Sequence, residues 1–153
     1  AELRARYQDR ASRYLTVGGI QVHYKDEGRG RPILLVHGSS STMKTWDALV
    51  PTLRRMGYRV IRYDVPGMGL SDDVPDTMLG SIAPADVAAA LLDQLKIQRT
   101  VVVGVSSGGT LGSFLAASRP DLVAQLVITN APSDPVDTSH LVPTPAWAAA
   151  QAR

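Results

Sequence analysis

The stretch VVVGVSSGG, Val101 to Gly109, sets a run of β-branched residues against two serines and three glycines. Its valines suit a buried strand. After Gly109, Leu111, Phe114, Leu115 and Ser118 recur at the spacing of one helical face until Arg119-Pro120 stops the pattern. Gly104-Val105-Ser106-Ser107-Gly108 therefore fits G-x-S-x-G at a strand-to-helix turn. A serine at the apex of such a turn sits in a strained backbone conformation, and its neighbours must be small for the turn to close; Gly104 and Gly108 meet that need. The turn is expected to lift the Ser106 hydroxyl clear of the sheet and to leave the Ser107 N–H free at the helix start, facing an anion. Ser106 is thus the candidate nucleophile, and Ser107 contributes its backbone. The plainer alternative is a glycine-rich turn that packs helix against strand. A phosphate-cradling loop fits badly, because a Walker A loop ends in G-K-[ST] and Thr110 follows Gly109 with no lysine between.

Outward from this turn, short apolar runs alternate with longer helical patterns, which predicts a mostly parallel sheet with helices on both faces. RYLTV (Arg13 to Val17) and IQVHYKDEG (Ile20 to Gly28) flank Gly18-Gly19 and predict an N-terminal antiparallel hairpin. PILLVHG (Pro32 to Gly38) and RVIRYD (Arg59 to Asp64) read as strands. Between them Trp46, Leu49, Val50 and Leu53 recur at helical spacing, with Pro51 requiring either a kink or a helix that begins there. Val87, Ala90, Leu91 and Leu95 make a second stripe, with Pro84 placed for a first helical turn. LVAQLVITN (Leu122 to Asn130) is a further strand, and the proline-rich tail after it reads as a connection or the start of a lid. The chain divides into 1–132, the sheet-forming part, and 133–153, a linker or cap segment.

Composition narrows the class. The chain has 153 residues, enough for one domain with a real core, of which 44% are apolar and 20% charged. That balance belongs to a globular protein rather than a disordered one. Sixteen basic residues against 14 acidic ones give only a small excess, which does not point to nucleic acid. Arg4, Arg6, Arg10 and Arg13 gather near the start but are interleaved with Glu2 and Asp9, as on a solvated face. No run of about 18 apolar residues is present to span a membrane. With no cysteine, disulfides, thiolate metal sites and cysteine nucleophiles are excluded from these residues. Ala1 rather than methionine opens the chain, which leaves room for an upstream signal or anchor. A soluble protein of cytoplasm or periplasm is the expectation.

Two further motifs stand where strands end: His37-Gly38-Ser39, and Asp64-Val65-Pro66-Gly67-Met68-Gly69-Leu70-Ser71. With the G-x-S-x-G turn they make the sequence resemble the α/β-hydrolase family, of the HG-motif kind, over roughly Ser12 to Asn130. The resemblance implies that Ser106 is the nucleophile and that the backbone N–H groups of Ser39 and Ser107 hold the oxyanion. It further implies that His37 and Gly38 shape the oxyanion loop and that the Asp64 loop lies beside the site. Trp46 matches the family's habit of opening the first helix with an aromatic residue. Two such N–H donors can lower a barrier by about 3 kcal/mol each, so replacing the Ser39 side chain should matter less than deleting the residue. The implied activity is cleavage of an ester or related acyl bond in a small-molecule substrate, without a cofactor or metal. Serine at the turn argues against the dehalogenase and epoxide hydrolase branches, which carry aspartate there.

A serine hydroxyl needs a histidine within hydrogen-bond reach and an acid to orient it. In the family order, acid and then histidine follow the serine, on loops after later strands that these residues do not contain. His23 reads as surface or structural, and His37 belongs to the H-G motif. His140 follows Asp134 and Asp137 in the right order, but all three crowd into one loop and read as lid or linker. The strand Leu122 to Asn130 would also be an exposed edge where a parallel strand expects a neighbour. The expectation is an N-terminal half of a larger hydrolase whose sheet and triad are completed by its own C-terminal half or by a second chain. The rival is a non-catalytic binding module or inactive fragment that keeps the fold.

Overall fold

Gly18 and Gly19, both at positive φ, turn β1 (Arg13–Val17) back on β2 (Ile20–Gly28). The structure is a computed structural model, and it describes residues 2–131. β1 pairs with the first half of β2, from Val17↔Ile20 to Arg13↔Tyr24. The four residues by which β2 outruns β1 do not hang free. From Tyr24 to Gly28 the strand pairs antiparallel with β4 (Tyr58–Tyr63), so β2 is an interior strand of the sheet.

β3 (Arg31–Val36), β5 (Thr100–Val105) and β6 (Val123–Thr129) complete six strands in the order β1-β2-β4-β3-β5-β6. The contacts β4–β3, β3–β5 and β5–β6 are parallel. The expected mostly parallel sheet with an antiparallel N-terminal hairpin is the observed one. Among the described residues β6 has a neighbour on one side only, and Val127 and Ile128 are exposed along it.

Strand alternation divides the core between the two faces. Leu34, Val36, Ile61, Tyr63 and Val102 face α3 (Pro84–Gln94) and α4 (Ser107–Ser118), which bury Val87, Leu91, Leu92 and Leu115 against them. Ile33, Leu35, Val60 and Val101 face α2 (Val50–Arg55) and Trp46 on the other side. Each fully buried aliphatic side chain contributes about 1.5–3 kcal/mol. Among the described residues the buried Tyr63 hydroxyl has no hydrogen-bond partner, and burial raises its pKa.

The segment between β3 and β4 departs from one continuous helix. Met43–Trp46 is a short 3-10 turn, and α2 begins only at Val50, with Pro51 in its first turn. A proline there gives up no helical hydrogen bond, whereas one further inside would. Buried Arg62 on β4 anchors the 3-10 turn, reaching Glu27 at 3.0 Å, the Met43 carbonyl at 3.3 Å and the Asp47 carboxylate. The helical stripe on α4 is also narrower than its spacing implies. Leu111 and Leu115 are buried, but Phe114 is 65% exposed.

At the start, Glu2–Tyr7 forms a short helix, α1. Its Arg4 is not merely solvated, because it bonds the Asp72 carboxylate at 2.7 Å and lies over the Tyr14 ring.

Candidate active site

β5 delivers Ser106 and α4 starts at the next residue, Ser107. Ser106 has φ 54° and ψ −128°, a region that costs an L-residue of order 1–3 kcal/mol and persists only when its surroundings impose it. The surroundings do so from both sides. The Ser106 N–H donates to the Thr129 carbonyl of β6 at 2.9 Å, and the Ser106 carbonyl accepts from the Gly109 N–H at 2.8 Å. Neither bond involves the side chain, so the residue is exposed and its hydroxyl has no hydrogen bond among the described residues.

The glycines around it are there for space. A Cβ on Gly108 would strike the backbone carbonyl oxygens of Val36 and His37, and one on Gly104 would strike the carbonyl of Gly108. α4 therefore sits hard against the ends of β3 and β5. The same closeness brings the H-G loop to the serine: a Cβ on Gly38 would lie 3.1 Å from Ser106 Cβ and 3.6 Å from its Oγ. Ser39 and Ser107, the expected donors, are joined by a hydrogen bond from Ser39 Oγ to Ser107 Oγ at 2.9 Å. Among the described residues neither of their backbone N–H groups has an acceptor. One exposed hydroxyl and two residues with open N–H groups are thus neighbours at the ends of β3 and β5.

His37 is buried, and both of its ring nitrogens are in use. Nδ1–H donates to the Gly38 carbonyl at 2.8 Å, and Nε2 accepts the Val65 N–H at 3.0 Å. The ring is a brace between the H-G loop and the loop that follows β4, with no nitrogen left for Ser106.

Asp64 performs a similar task one layer away. Its buried carboxylate accepts the Met43 N–H at 2.8 Å, the Leu70 N–H at 3.0 Å and His23 Nδ1–H at 2.7 Å. Burial pushes its pKa up, but the His23 bond and the two backbone N–H bonds outweigh that and hold it below the ordinary 3.8. Gly69, at φ 58°, can come this close to the carboxylate only because it has no Cβ. Ser71 closes the loop by donating to the Asp64 carbonyl at 2.6 Å while accepting the His23 N–H at 2.9 Å. Each fixed position of the D-x-x-G-x-G-x-S motif except Gly67 is used in holding Asp64.

His23, expected as surface or structural, is buried and structural. Its Nε2 is 2.9 Å from Ser12 Oγ, which completes a Ser12–His23–Asp64 chain that sequence reasoning missed. His23 sits in the half of β2 that pairs with β1, opposite Tyr14, and meets Asp64 only because β4 ends beside it, a placement that no local pattern announces. Asp134, Asp137 and His140, and the whole of 133–153, lie outside the described residues. Among the described residues no cluster of His, Asp or Glu could hold a metal ion, and no helix is long and apolar enough to cross a membrane.

A cleft of about 560 Å³ opens beside Gly38, Ser39, Ser107 and Gly108, between the loop after β4, the start of α3 and the outer face of α4. Its size is that of a small-molecule site. Asp64 does not line it.

A mostly parallel sheet that ends in a strained serine turn beside a small-molecule cleft defines a hydrolase-type α/β scaffold. The chain belongs to the alpha/beta hydrolase fold family, whose model matches residues 31–150. It is 39% identical over 125 residues to a 2-hydroxy-6-oxononadienedioate/2-hydroxy-6-oxononatrienedioate hydrolase of Paraburkholderia phymatum, covering 76% of this chain and 43% of that one. Among solved structures it resembles a carboxylesterase of Nitrososphaera gargenis, with TM-score 0.76 and 25% identity over 84% of this chain and 49% of that one. It also resembles an epoxide hydrolase variant of Vigna radiata, with TM-score 0.74 and 26% identity over 81% and 40%. These relatives are hydrolases of different bonds. The chain spans less than half the length of the curated relatives it matches.

Proposed function

We propose that the protein is a serine hydrolase that cleaves an ester or related acyl bond through a covalent acyl-Ser106 intermediate. The observation that carries this reading is the strained Ser106, its hydroxyl unbonded among the described residues, with Ser39 and Ser107 beside it carrying N–H groups that have no acceptor there.

In the proposed reaction a histidine removes the Ser106 proton as Oγ attacks the acyl carbon, and the carbonyl oxygen becomes an oxyanion held by the two N–H groups. Collapse expels the leaving group, which takes the proton from the histidine. Water, activated by the same histidine, then releases the acid and restores Ser106. The base and its acid come from outside the described residues, supplied by the chain's own C-terminal half or by a second chain that also pairs with β6. His23 and His37 support this assignment by being fully engaged elsewhere.

Serine also favours acyl transfer over displacement at an alkyl carbon, the chemistry that epoxide opening requires. Attack by a serine oxygen on an alkyl carbon would leave an ether that water cannot readily cleave, whereas attack on an acyl carbon leaves a hydrolysable ester.

The test uses the full gene product and an activated ester, with a fluorophosphonate label followed by peptide mapping. Hydrolysis is expected to vanish in Ser106→Ala, and the label is expected on Ser106. Hydrolysis that survives Ser106→Ala, or a label on Ser107, would overturn the assignment. Absence of both hydrolysis and labelling in the wild type would favour a non-catalytic binding module.

A further inference from the structure

The cleft beside Ser39 and Ser107 has a character of its own. Val65 and Met68 line it from the loop after β4, Pro84 from the start of α3, and Leu111 and Phe114 from α4. Phe114, the chain's one phenylalanine, stands 65% exposed on a helix whose other large apolar residues are buried. An aromatic ring left in water at the wall of a cleft contributes nothing to the core, and it is placed to cover an apolar ligand.

The electrostatics of the cleft point the same way. Among the described residues, Asp86 is the one acidic side chain that lines it. Its carboxylate is fixed by accepting the Ala83 N–H at 3.0 Å across the first turn of α3, so it cannot swing away from an incoming anion. His37 also lines the cleft, but Nε2 accepts the Val65 N–H and Nδ1–H donates to the Gly38 carbonyl. That pattern requires a neutral ring with no outward donor. No lysine or arginine of the described residues lines the cleft. A carboxylate that entered would lose water, face Asp86 and find no cationic partner among the described residues.

We infer that this cleft holds an uncharged, apolar arm of the substrate, and that it discriminates against an arm ending in a carboxylate. The inference rests on the acyl-transfer reading of Ser106 only for the word substrate; the binding preference itself belongs to the cleft.

The experiment is therefore a binding measurement that needs no turnover. Hexanamide and its chain-terminal carboxylate analogue, adipic acid monoamide, are titrated into the 15N-labelled protein at pH 7, with amide shifts as the readout. Hexanamide is expected to shift the amides of Val65, Met68, Leu111 and Phe114 saturably, and to bind at least about tenfold more tightly than the monoamide. Asp86→Asn keeps an acceptor for the Ala83 N–H while removing the charge, and should narrow the difference by raising the affinity of the monoamide. Phe114→Arg, at an exposed position, should weaken hexanamide and strengthen the monoamide. Equal affinities in the wild type, shifts that fall away from the cleft, or no response to either substitution would overturn the inference. A protein that hydrolyses esters but shows no preference loses this inference alone. One that shows the preference without hydrolysing anything loses the acyl-transfer reading alone.

Discussion

Asp64→Asn replaces one carboxylate oxygen with NH2 and tests the scaffold around the site. The carboxylate receives three donors: the Met43 N–H on Oδ1, and the Leu70 N–H and His23 Nδ1–H on Oδ2. An asparagine has one acceptor oxygen and one NH2. With the NH2 toward Met43, the Met43 N–H meets a donor. With the NH2 toward Leu70, the Leu70 N–H meets a donor, while His23 can change tautomer and donate from Nε2 to Ser12 instead. In either orientation one buried backbone N–H is orphaned, at about 1–3 kcal/mol. The two remaining bonds fall from charge-assisted to neutral strength, losing about 1 kcal/mol each. Since the Asp64 pKa lies below its ordinary value despite burial, the favourable bonds already exceed the desolvation cost, and removing the charge gives little back. The sum is about 3–5 kcal/mol, or roughly 6–20 °C in Tm for a domain of this size.

The pH dependence carries the sharper test. A carboxylate whose folded pKa is lowered contributes stability that is complete above the unfolded value, near 3.8, and is lost as pH falls through the folded value. The gap between wild type and Asp64→Asn, measured by urea unfolding, should therefore be full at pH 7 and shrink below pH 3.8 as the wild-type carboxylate takes up its proton. Asp9, held low by its bonds to Lys25 and to the Ala11 and Ser12 N–H groups, makes both proteins acid-sensitive, so the difference between them is the informative quantity. A gap under about 1 kcal/mol at pH 7, or one that widens in acid, would refute the reasoning.

Two further substitutions probe the elbow. Gly108→Ala drives a methyl into the carbonyls of Val36 and His37, which are backbone and cannot rotate aside; a loss of about 3 kcal/mol or more is expected by thermal melting, and a loss under 1 kcal/mol would mean that α4 can shift on the sheet. Ser106→Gly relieves a positive φ worth about 1–3 kcal/mol at an entropic cost of about 0.5–1, so its urea midpoint should lie above that of Ser106→Ala, and the reverse order would deny the strain.

What the sequence disclosed was what local geometry dictates. G-x-S-x-G was legible because a strand-to-helix turn needs its glycines within four residues of one another, and Pro84 was legible because a first helical turn is local. Pro51 was half legible: it required a break, but only the packing of Trp46 and Val50 on the sheet put that break before α2. Phe114 was misplaced because helical spacing says which residues share a face and not how far the neighbouring elements extend along it. His23 lay beyond local reading, since its partner is 41 positions away across a strand pairing that the hairpin alone does not announce.

That long-range pairing bears on the mechanism. Asp64 ties Met43 to Leu70, and His37 ties Gly38 to Val65, so the loops on either side of Ser39 are both fastened to the loop after β4. In the proposed reaction the Ser39 N–H is an oxyanion donor, useful in proportion to how little it reorganises when charge develops, and these braces hold the Ser39 backbone in place beforehand. The Gly38 and Val65 bonds occupy both ring nitrogens of His37, and Asp64 and Ser12 occupy those of His23. A histidine that fixes a loop through both nitrogens cannot also accept a proton from Ser106 without releasing that loop. In the proposed mechanism, rigidity of the Ser39 loop and the need for a base from elsewhere are therefore two consequences of one hydrogen-bond pattern.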